Sequence, residues 1–395
     1  MSDAVIVSAA RLPIGKFQGS LSGFTAPKLG ALAVREAVRR AGLDPVEVSE
    51  CIMGCVLQAG VGQNPARQAA IHGGLPPESA ALTVNQVCGS GLRAVALSAQ
   101  AIRNGDAEIM VGGGMESMSN APYLLPQARS GYRMGNGTLV DALINDGLWE
   151  AYRGFHMGIG AEMIAEKYGI TRAEQDEFAA NSHRKAARAT ENGWFKDEIL
   201  PVEIPAAKKG DAPRTFDKDE AVRPETTVEI LAKLKPAFKE GGTVTAGNAP
   251  GVSDGAAAVV VMSADAAKTR GLNPLATIRA AVTAGRDPEW FGLAPIDAVR
   301  KLMPRMGWKL EDVDLFELNE AFSVQALAVI RELEIDPARV NVHGGAVAMG
   351  HPIGASGAAV LVKLLYAMQH MKKTRGVATL CLGGGNAVAM AVERG

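Results

Sequence analysis

The chain is nearly without net charge, poor in cysteine and aromatics, and free of long apolar runs. Forty-one Lys and Arg stand against 42 Asp and Glu, a formal net charge of −1. No global basic field is available to hold nucleic acid or an anionic membrane. No apolar stretch reaches the ~18 residues of a membrane span. Four cysteines (Cys51, Cys55, Cys88 and Cys381) in 395 residues are too sparse for a disulfide framework. Cys51 and Cys55 have no further Cys pair or His placed to complete a zinc site, so no metal is expected. A reducing compartment, the cytoplasm, is the expected location. Met1-Ser2-Asp3-Ala4-Val5 lacks the basic-then-apolar order of a secretion signal. Glu393-Arg394-Gly395 carries no lipidation or peroxisomal address.

What is plentiful is glycine, with 45 residues, which suggests tight turns and close backbone contacts. Val5-Ile6-Val7 reads as a buried strand. Pro27 opens a helix to about Arg40, stopped by Gly42. Val48 to Val56 reads as a strand, and Gln63-Asn64-Pro65 starts a helix through Ala70. Asp106 to Val111 reads as a strand ending in Gly112-Gly113-Gly114. Strands alternating with helices of this length predict an α/β protein with largely parallel sheets.

From Ser117 to about Gly242 the texture changes. Pro122, Pro126, Gly131, Gly135 and Gly137 break any long element, and Trp149, Tyr152, Phe155 and Met157 cluster. Helices are expected at about 159–168 and 172–192, the second opened by a capping-box pattern at Thr171 and Glu174. The mixed-charge stretch Lys208 to Lys239 reads as a solvated face, with a phosphate-binding surface as the other reading. The region forms an inserted loop domain, about 119–248.

The chain also repeats itself. Helix Lys28 to Arg40, a Gly turn and strand Val48 to Val56 have a counterpart in helix Ala294 to Met306, Gly307 and strand Val313 to Leu318. Cys88-Gly89-Ser90-Gly91, a helix, a strand and Gly112-Gly113-Gly114 match His351-Pro352-Ile353-Gly354-Ala355-Ser356-Gly357, helix Ala358 to His370, strand Val377 to Leu382 and Gly383-Gly384-Gly385. Two halves of one topology, 1–270 and 271–395, would bring equivalent turns together near a pseudo-dyad. Cys88 and His351 are then candidates to meet.

Cys88 follows a β-like run and precedes a Pro-free helix. A thiol at a helix N-terminus is favoured as its thiolate. Two readings stand for it alone: a nucleophile, or a buried small hydrophobe. Gly89-Ser90-Gly91-Leu92-Arg93-Ala94 matches a dinucleotide fingerprint, but no acid stands at the end of the following strand, so that reading is rejected.

Four motifs together resemble the thiolase family, and within it the acetyl-CoA acetyltransferases: Val87-Cys88-Gly89-Ser90-Gly91, Asn319-Glu320-Ala321-Phe322, Gly350 to Gly357, and Cys381-Leu382-Gly383-Gly384-Gly385. The resemblance implies a thiolase fold of two duplicated βαβαβαββ-type halves packed in αβαβα layers. It implies reversible condensation of two acetyl-CoA to acetoacetyl-CoA, or thiolysis of 3-ketoacyl-CoA, through an acyl-cysteine on Cys88. By resemblance His351 takes the thiol proton and Cys381 is the second acid/base. His351 and a water held by Asn319 form one oxyanion hole, and the N–H groups of Cys88 and Gly383 form the other. Leu148, His156, Met157, Leu234, Phe238, Ala246 and Phe322 would line the path of coenzyme A, with Arg223 near its phosphates. CoA thioesters enter as substrates and no permanent cofactor is implied. A homodimer or homotetramer is implied, with Ser117 to Gly147 resembling a tetramer-contact loop.

Two departures from the family pattern stand out. Pro250 occupies a position where many relatives carry serine, and it offers neither hydroxyl nor N–H. Asn386-Ala387 replaces a commoner glycine-containing sequence. The rival readings are a degradative thiolase for longer chains, a decarboxylating ketoacyl synthase (disfavoured by Cys381), and a non-catalytic acyl-CoA-binding protein.

Overall fold

The computed structural model describes residues 2–206 and 212–395. Lys208 and Lys209 of the charged stretch lie outside the described residues. The first half runs through β1 (Ala4–Arg11), α1 (Ala26–Ala41), β2 (Glu50–Gly54), α2 (Pro65–His72), β3 (Ala80–Val84), α3 (Ser90–Asn104) and β4 (Ile109–Ser117). An excursion carries α4 (Met157–Tyr168) and α5 (Arg172–Glu191) before the chain re-enters the core as β5 (Ser253–Ser263). The second half follows as β6 (Ala276–Gly285), α6 (Ala294–Met306), β7 (Leu315–Leu318), α7 (Ser323–Glu332), α8 (Ile353–His370), β8 (Arg375–Leu382) and β9 (Asn386–Glu393).

Local chemistry accounts for the helix ends. Gly42, Gly105 and Gly307 close α1, α3 and α6 in the left-handed conformation at φ 67, 85 and 66, where an L side chain would be strained. Thr171 and Glu174 form the capping box of α5.

The strands form one hydrogen-bonded sheet in the order β7-β8-β9-β6-β1-β5-β4-β2-β3, with Gly15–Lys16 paired alongside β5. The halves join where β1 meets β6, Val5 opposite Thr277 and Ile6 opposite Ala276. Both junction strands carry a bulge at the same place, between Ile6 and Ser8 and between Ile278 and Ala280. That shared irregularity is a structural mark of the duplication. The second half has no full partner to β3; a single parallel bridge between Phe316 and Val340 stands in its place.

The expectation of largely parallel sheets is corrected. Only β2 with β3, β2 with β4, and β7 with β8 run parallel. The other pairings within the sheet are antiparallel. The cause is that β9 turns straight back beside β8, and β5 returns beside β4 after the excursion, so neither is placed by a β-α-β crossover.

Helices α1 and α2 cover the outside of the first half, and α6 covers the outside of the second. Between the two half-sheets lie α3 and α8, in contact with each other. The layers are therefore α, β, α, β, α. The central position of α8 explains its sequence: Ile353 through Met368 are all buried, as a helix walled on every side requires. Its one charged member, Lys363, is met by Glu317 at 3.1 Å and by the carbonyl of Gly344.

A second correction concerns Gly112-Gly113-Gly114. The triplet does not end a strand; it lies inside β4, which continues to Ser117. A Cβ at Gly112 would come 2.9 Å from the Cα of Val95 on α3, and one at Gly114 would strike the carbonyl of Gly354 on α8. These glycines let two helices seat on the strand. Their sequence counterparts Gly383, Gly384 and Gly385 do make a turn, between β8 and β9, with Gly384 and Gly385 both at φ 79.

The excursion is tied to the core by Arg11 at the end of β1. Its guanidinium donates to Glu198 at 2.7 Å and to both carboxylate oxygens of Asp219 at 2.7 and 2.9 Å. Tyr123, Leu125, Tyr132, Met134 and Leu139 of the Ser117 to Gly147 segment are exposed.

Candidate active site

The central helices begin at the same end of the molecule and nearly touch. A Cβ on Gly91 would lie 2.7 Å from the backbone nitrogen of Ala358. Cys88 stands just before Gly89, the N-cap of α3. His351 stands just before Pro352, the N-cap of α8. Equivalent turns of the two halves thus present a thiol and an imidazole to one place.

That place is a cavity of about 250 Å3. Cys88, His351, Cys381 and Gly383 line it, together with Leu148, His156, Met157, Phe238 and Phe322. Met118, Ile144, Phe291 and Pro250 also face it. The walls are mostly apolar, with a few polar groups brought together at one end, as small-molecule sites commonly are.

The electrostatics follow from this enclosure. Burial pushes the half-buried Cys88 thiol up to about 12, against the backbone N–H groups of Gly383 and of Cys88 itself, which favour the thiolate. Burial likewise raises the Cys381 thiol, and the neighbouring Cys88 adds to the rise. Burial pulls His351 down to about 4. The resting site is therefore a neutral thiol beside a neutral imidazole. A thiol in that state can pass its proton to His351 in step with an attack by its sulfur rather than before it.

The tautomer of His351 can be assigned from its partner. Ser356 Oγ donates to the Pro352 carbonyl at 2.8 Å. Its hydrogen thus engaged, it accepts from His351 Nδ1–H at 2.6 Å. Nε2 is left with its lone pair free to take a proton. The Asn319 amide nitrogen lies 3.5 Å from that Nε2. Asn319 caps no helix: the N-cap of α7 is Phe322, so its buried side chain is available to the site.

His156 does two things at once. Its Nδ1 accepts from Gly158 N–H at 3.0 Å, capping α4. Its ring stacks on Phe238 at 4.8 Å, which closes one wall of the cavity. At Gly383 an added Cβ would meet only the side chain of Val87, at 3.4 Å. Protein packing does not force glycine there, which leaves the cavity side as the reason for it.

Arg223, Leu234 and Ala246 are not brought to this cavity. All three are exposed, and Leu234 packs beside Gly247. His343 stacks on Trp194 at 4.8 Å, a packing role. Among the described residues no group of three or more His, Cys, Asp or Glu could hold a metal ion.

Two residues beside the site escaped the sequence reading. Ser356 is one; it stands five positions after His351 on the first turn of a helix, and that spacing was its signal. Glu116 is the other. It is fully buried and accepts from the N–H groups of Val56, Leu57 and Gly354 at 3.0, 3.2 and 2.9 Å. Glu116 thus pins the first turn of α8 to the first half. A lone acid in a nine-residue buried strand was the available signal. Burial raises it to about 7, against those three N–H donors.

Comparison with known proteins agrees with this geometry. The family described as "Thiolase, N-terminal domain" matches residues 4–265, and "Thiolase, C-terminal domain" matches 272–394. The chain belongs to the thiolase family. An acetyl-CoA acetyltransferase of Pseudomonas aeruginosa is 57% identical over 394 residues, covering 100% of both chains. One of Escherichia coli is 53% identical over 395 residues, again covering 100% of both. The crystal structure of the Bacillus anthracis acetyl-CoA acetyltransferase superposes with a TM-score of 0.97 at 43% identity, covering 100% of this thiolase and 99% of that chain.

Proposed function

We propose that this thiolase is an acetyl-CoA C-acetyltransferase that joins two acetyl-CoA into acetoacetyl-CoA and CoA, and runs the reverse thiolysis. The observation that carries the reading is the convergence of Cys88, His351, Cys381 and Gly383 in one small apolar cavity. Cys88 sulfur attacks the acetyl carbonyl while His351 Nε2 takes its proton. The C–S bond to CoA breaks and CoA leaves with the proton of Cys381, so Cys381 is left as the thiolate and His351 keeps its new Nε2–H. The negative oxygen of the intermediate meets the N–H groups of Cys88 and Gly383. A second acetyl-CoA then loses a methyl proton to Cys381, and the carbanion attacks the acetyl-Cys88 carbonyl. The thioester bond to Cys88 breaks as the carbon–carbon bond forms, and the departing Cys88 sulfur takes back the proton held by His351. The enolate oxygen is held by His351 and a water on Asn319.

Walls formed by Met157, Phe238, Phe291 and Phe322, and a volume of about 250 Å3, favour a short acyl group over the longer chains of a degradative thiolase. Arg223, Leu234 and Ala246 serve the outer part of the long CoA molecule, beyond the cavity. The halves are 1–270 and 271–395, the first containing the inserted 119–248. The enzyme works in the cytoplasm as a homo-oligomer, using the exposed apolar Ser117 to Gly147 segment for contacts. No membrane partner is invoked; among the described residues no helix is long and apolar enough to cross one.

Steady-state kinetics in both directions with acyl-CoAs of graded length test the reading, alongside mass spectrometry of Cys88 after mixing with acetyl-CoA. An acetyl adduct on Cys88 and a preference for acetoacetyl-CoA are expected. In Cys381→Ala the adduct persists while condensation falls about a thousandfold. A preference for long ketoacyl chains refutes the acyl assignment, and absence of the adduct refutes the chemistry.

A further inference from the structure

Among the described residues six non-glycines have positive φ: Gln18, Asn64, Val87, Glu334, Asn341 and Lys372. Val87, at φ 46, is the β-branched one among them. Branching at Cβ makes the left-handed region especially unfavourable. Such a conformation persists only where its surroundings over-determine it, and it clusters at functional sites. Val87 immediately precedes Cys88 and lines the cavity.

The surroundings that impose it are specific. Ser90 Oγ donates to the Val87 carbonyl at 2.6 Å and accepts from Gln86 N–H at 2.9 Å. Val87 N–H donates to Asn85 Oδ1 at 3.0 Å. Ser90 is fully buried. Its place is made by Gly54, where an added Cβ would lie 2.6 Å from the Cβ of Ser90. One hydroxyl therefore ties the carbonyl of the strained residue to the N–H of the residue before it, from a position that does not face the cavity.

We propose that Ser90 is a positioning residue for the nucleophile. Its hydroxyl imposes the left-handed turn at Val87 that aims the Cys88 sulfur into the cavity lined by Gly383 and His351. The proposal rests on Cys88 being the acylated thiol.

The test uses the full-length enzyme, Ser90→Ala, Val87→Gly and the double variant. Two rates are read by mass spectrometry of the Cys88 peptide: alkylation by iodoacetamide, and acetylation by acetyl-CoA. In Ser90→Ala both rates fall about tenfold to a hundredfold, while KM for acetyl-CoA is unchanged. Glycine at 87 takes positive φ without strain, so the double variant recovers most of the loss. Wild-type rates in Ser90→Ala overturn the proposal, and so does a double variant as slow as Ser90→Ala. If Ser90→Ala does not fold, Asn85→Ala removes the exposed bond to the same turn. A severalfold slowing that Val87→Gly reverses then supports the proposal, and an unchanged rate overturns it. A wild-type enzyme that is alkylated but never acetylated defeats the functional reading and leaves the alkylation comparison to judge Ser90.

Discussion

Replacing Ser356 by alanine isolates the tautomer of His351. In the wild type the Nδ1–H of the buried ring donates to Ser356 Oγ at 2.6 Å, and that hydroxyl donates onward to Pro352 at 2.8 Å. Alanine leaves a buried N–H without an acceptor, which costs about 1–3 kcal/mol. The ring escapes that cost by moving its proton to Nε2, but Nε2 is the atom that must accept from Cys88. At about 1.4 kcal/mol per decade, kcat falls by about fivefold to 150-fold. KM stays near the wild-type value, because Ser356 does not line the acyl cavity. Rapid-quench acetylation of Cys88 gives the rate, and 15N NMR of labelled histidine gives the tautomer. Ser356→Thr keeps the hydroxyl and restores both readouts. Acetylation at the wild-type rate in Ser356→Ala, with the Nδ1–H signal still present, would refute the assignment.

Three further outcomes are expected. With the Cys88 thiol pushed up to about 12 and His351 pulled down to about 4, iodoacetamide alkylation of Cys88 keeps rising through about pH 9, and the acid limb of kcat/KM lies below about pH 5.5. A plateau in alkylation near neutral pH would show a thiolate–imidazolium pair instead. Glu116, raised to about 7 in the fold, holds its proton more tightly folded than unfolded, so its contribution to stability is full at low pH and fades as pH rises from about 4.5 to 7. Urea titrations at both ends of that window give wild type losing about 3 kcal/mol relative to Glu116→Gln, and a pH-independent difference contradicts it. Removing the Phe238 ring, which stacks on His156, opens the cavity wall. Phe238→Ala then raises kcat/KM for six-carbon 3-ketoacyl-CoA against acetoacetyl-CoA about tenfold, measured by thiolysis, and an unchanged ratio shows that another wall sets chain length.

Much of the fold was legible wherever the cause is local. Gly307 closes α6 at the predicted residue, and the Thr171 capping box opens α5 where expected. The duplication was legible because it repeats such local signals. Strand direction was not, since β5 arrives beside β4 only after an excursion of more than a hundred residues. Gly112 to Gly114 were misread for a related reason. A glycine run looks like a turn until the helix that crowds it is known, and the crowding groups on α8 lie some 240 positions away. At the site, Cys88, His351, Cys381 and Asn319 were recognisable as a set of motifs. Ser90, Ser356 and Glu116 were not, because each acts through a backbone group or another side chain and carries no chemistry of its own.

The same glycines explain why the site cannot be divided between its halves. Gly114 on β4 admits the backbone of α8 at Gly354, Gly91 admits Ala358, and Gly357 admits Leu92 on α3. Glu116 then binds the first turn of α8 through Gly354 N–H, so a residue of the first half sets the helix that follows His351. In the other direction, Gly383 of the second half lines the same cavity as Cys88, and the side chain of Leu382 fills the space that a Cβ on Gly89 would need. Each half therefore holds one of the groups proposed to react while the partner half fixes that group's position. A thiol at a helix N-terminus is common and ordinarily inert when buried. In the proposed function its reactivity depends on an imidazole and an N–H donor that arrive from the far end of the chain, held close by side chains that are missing.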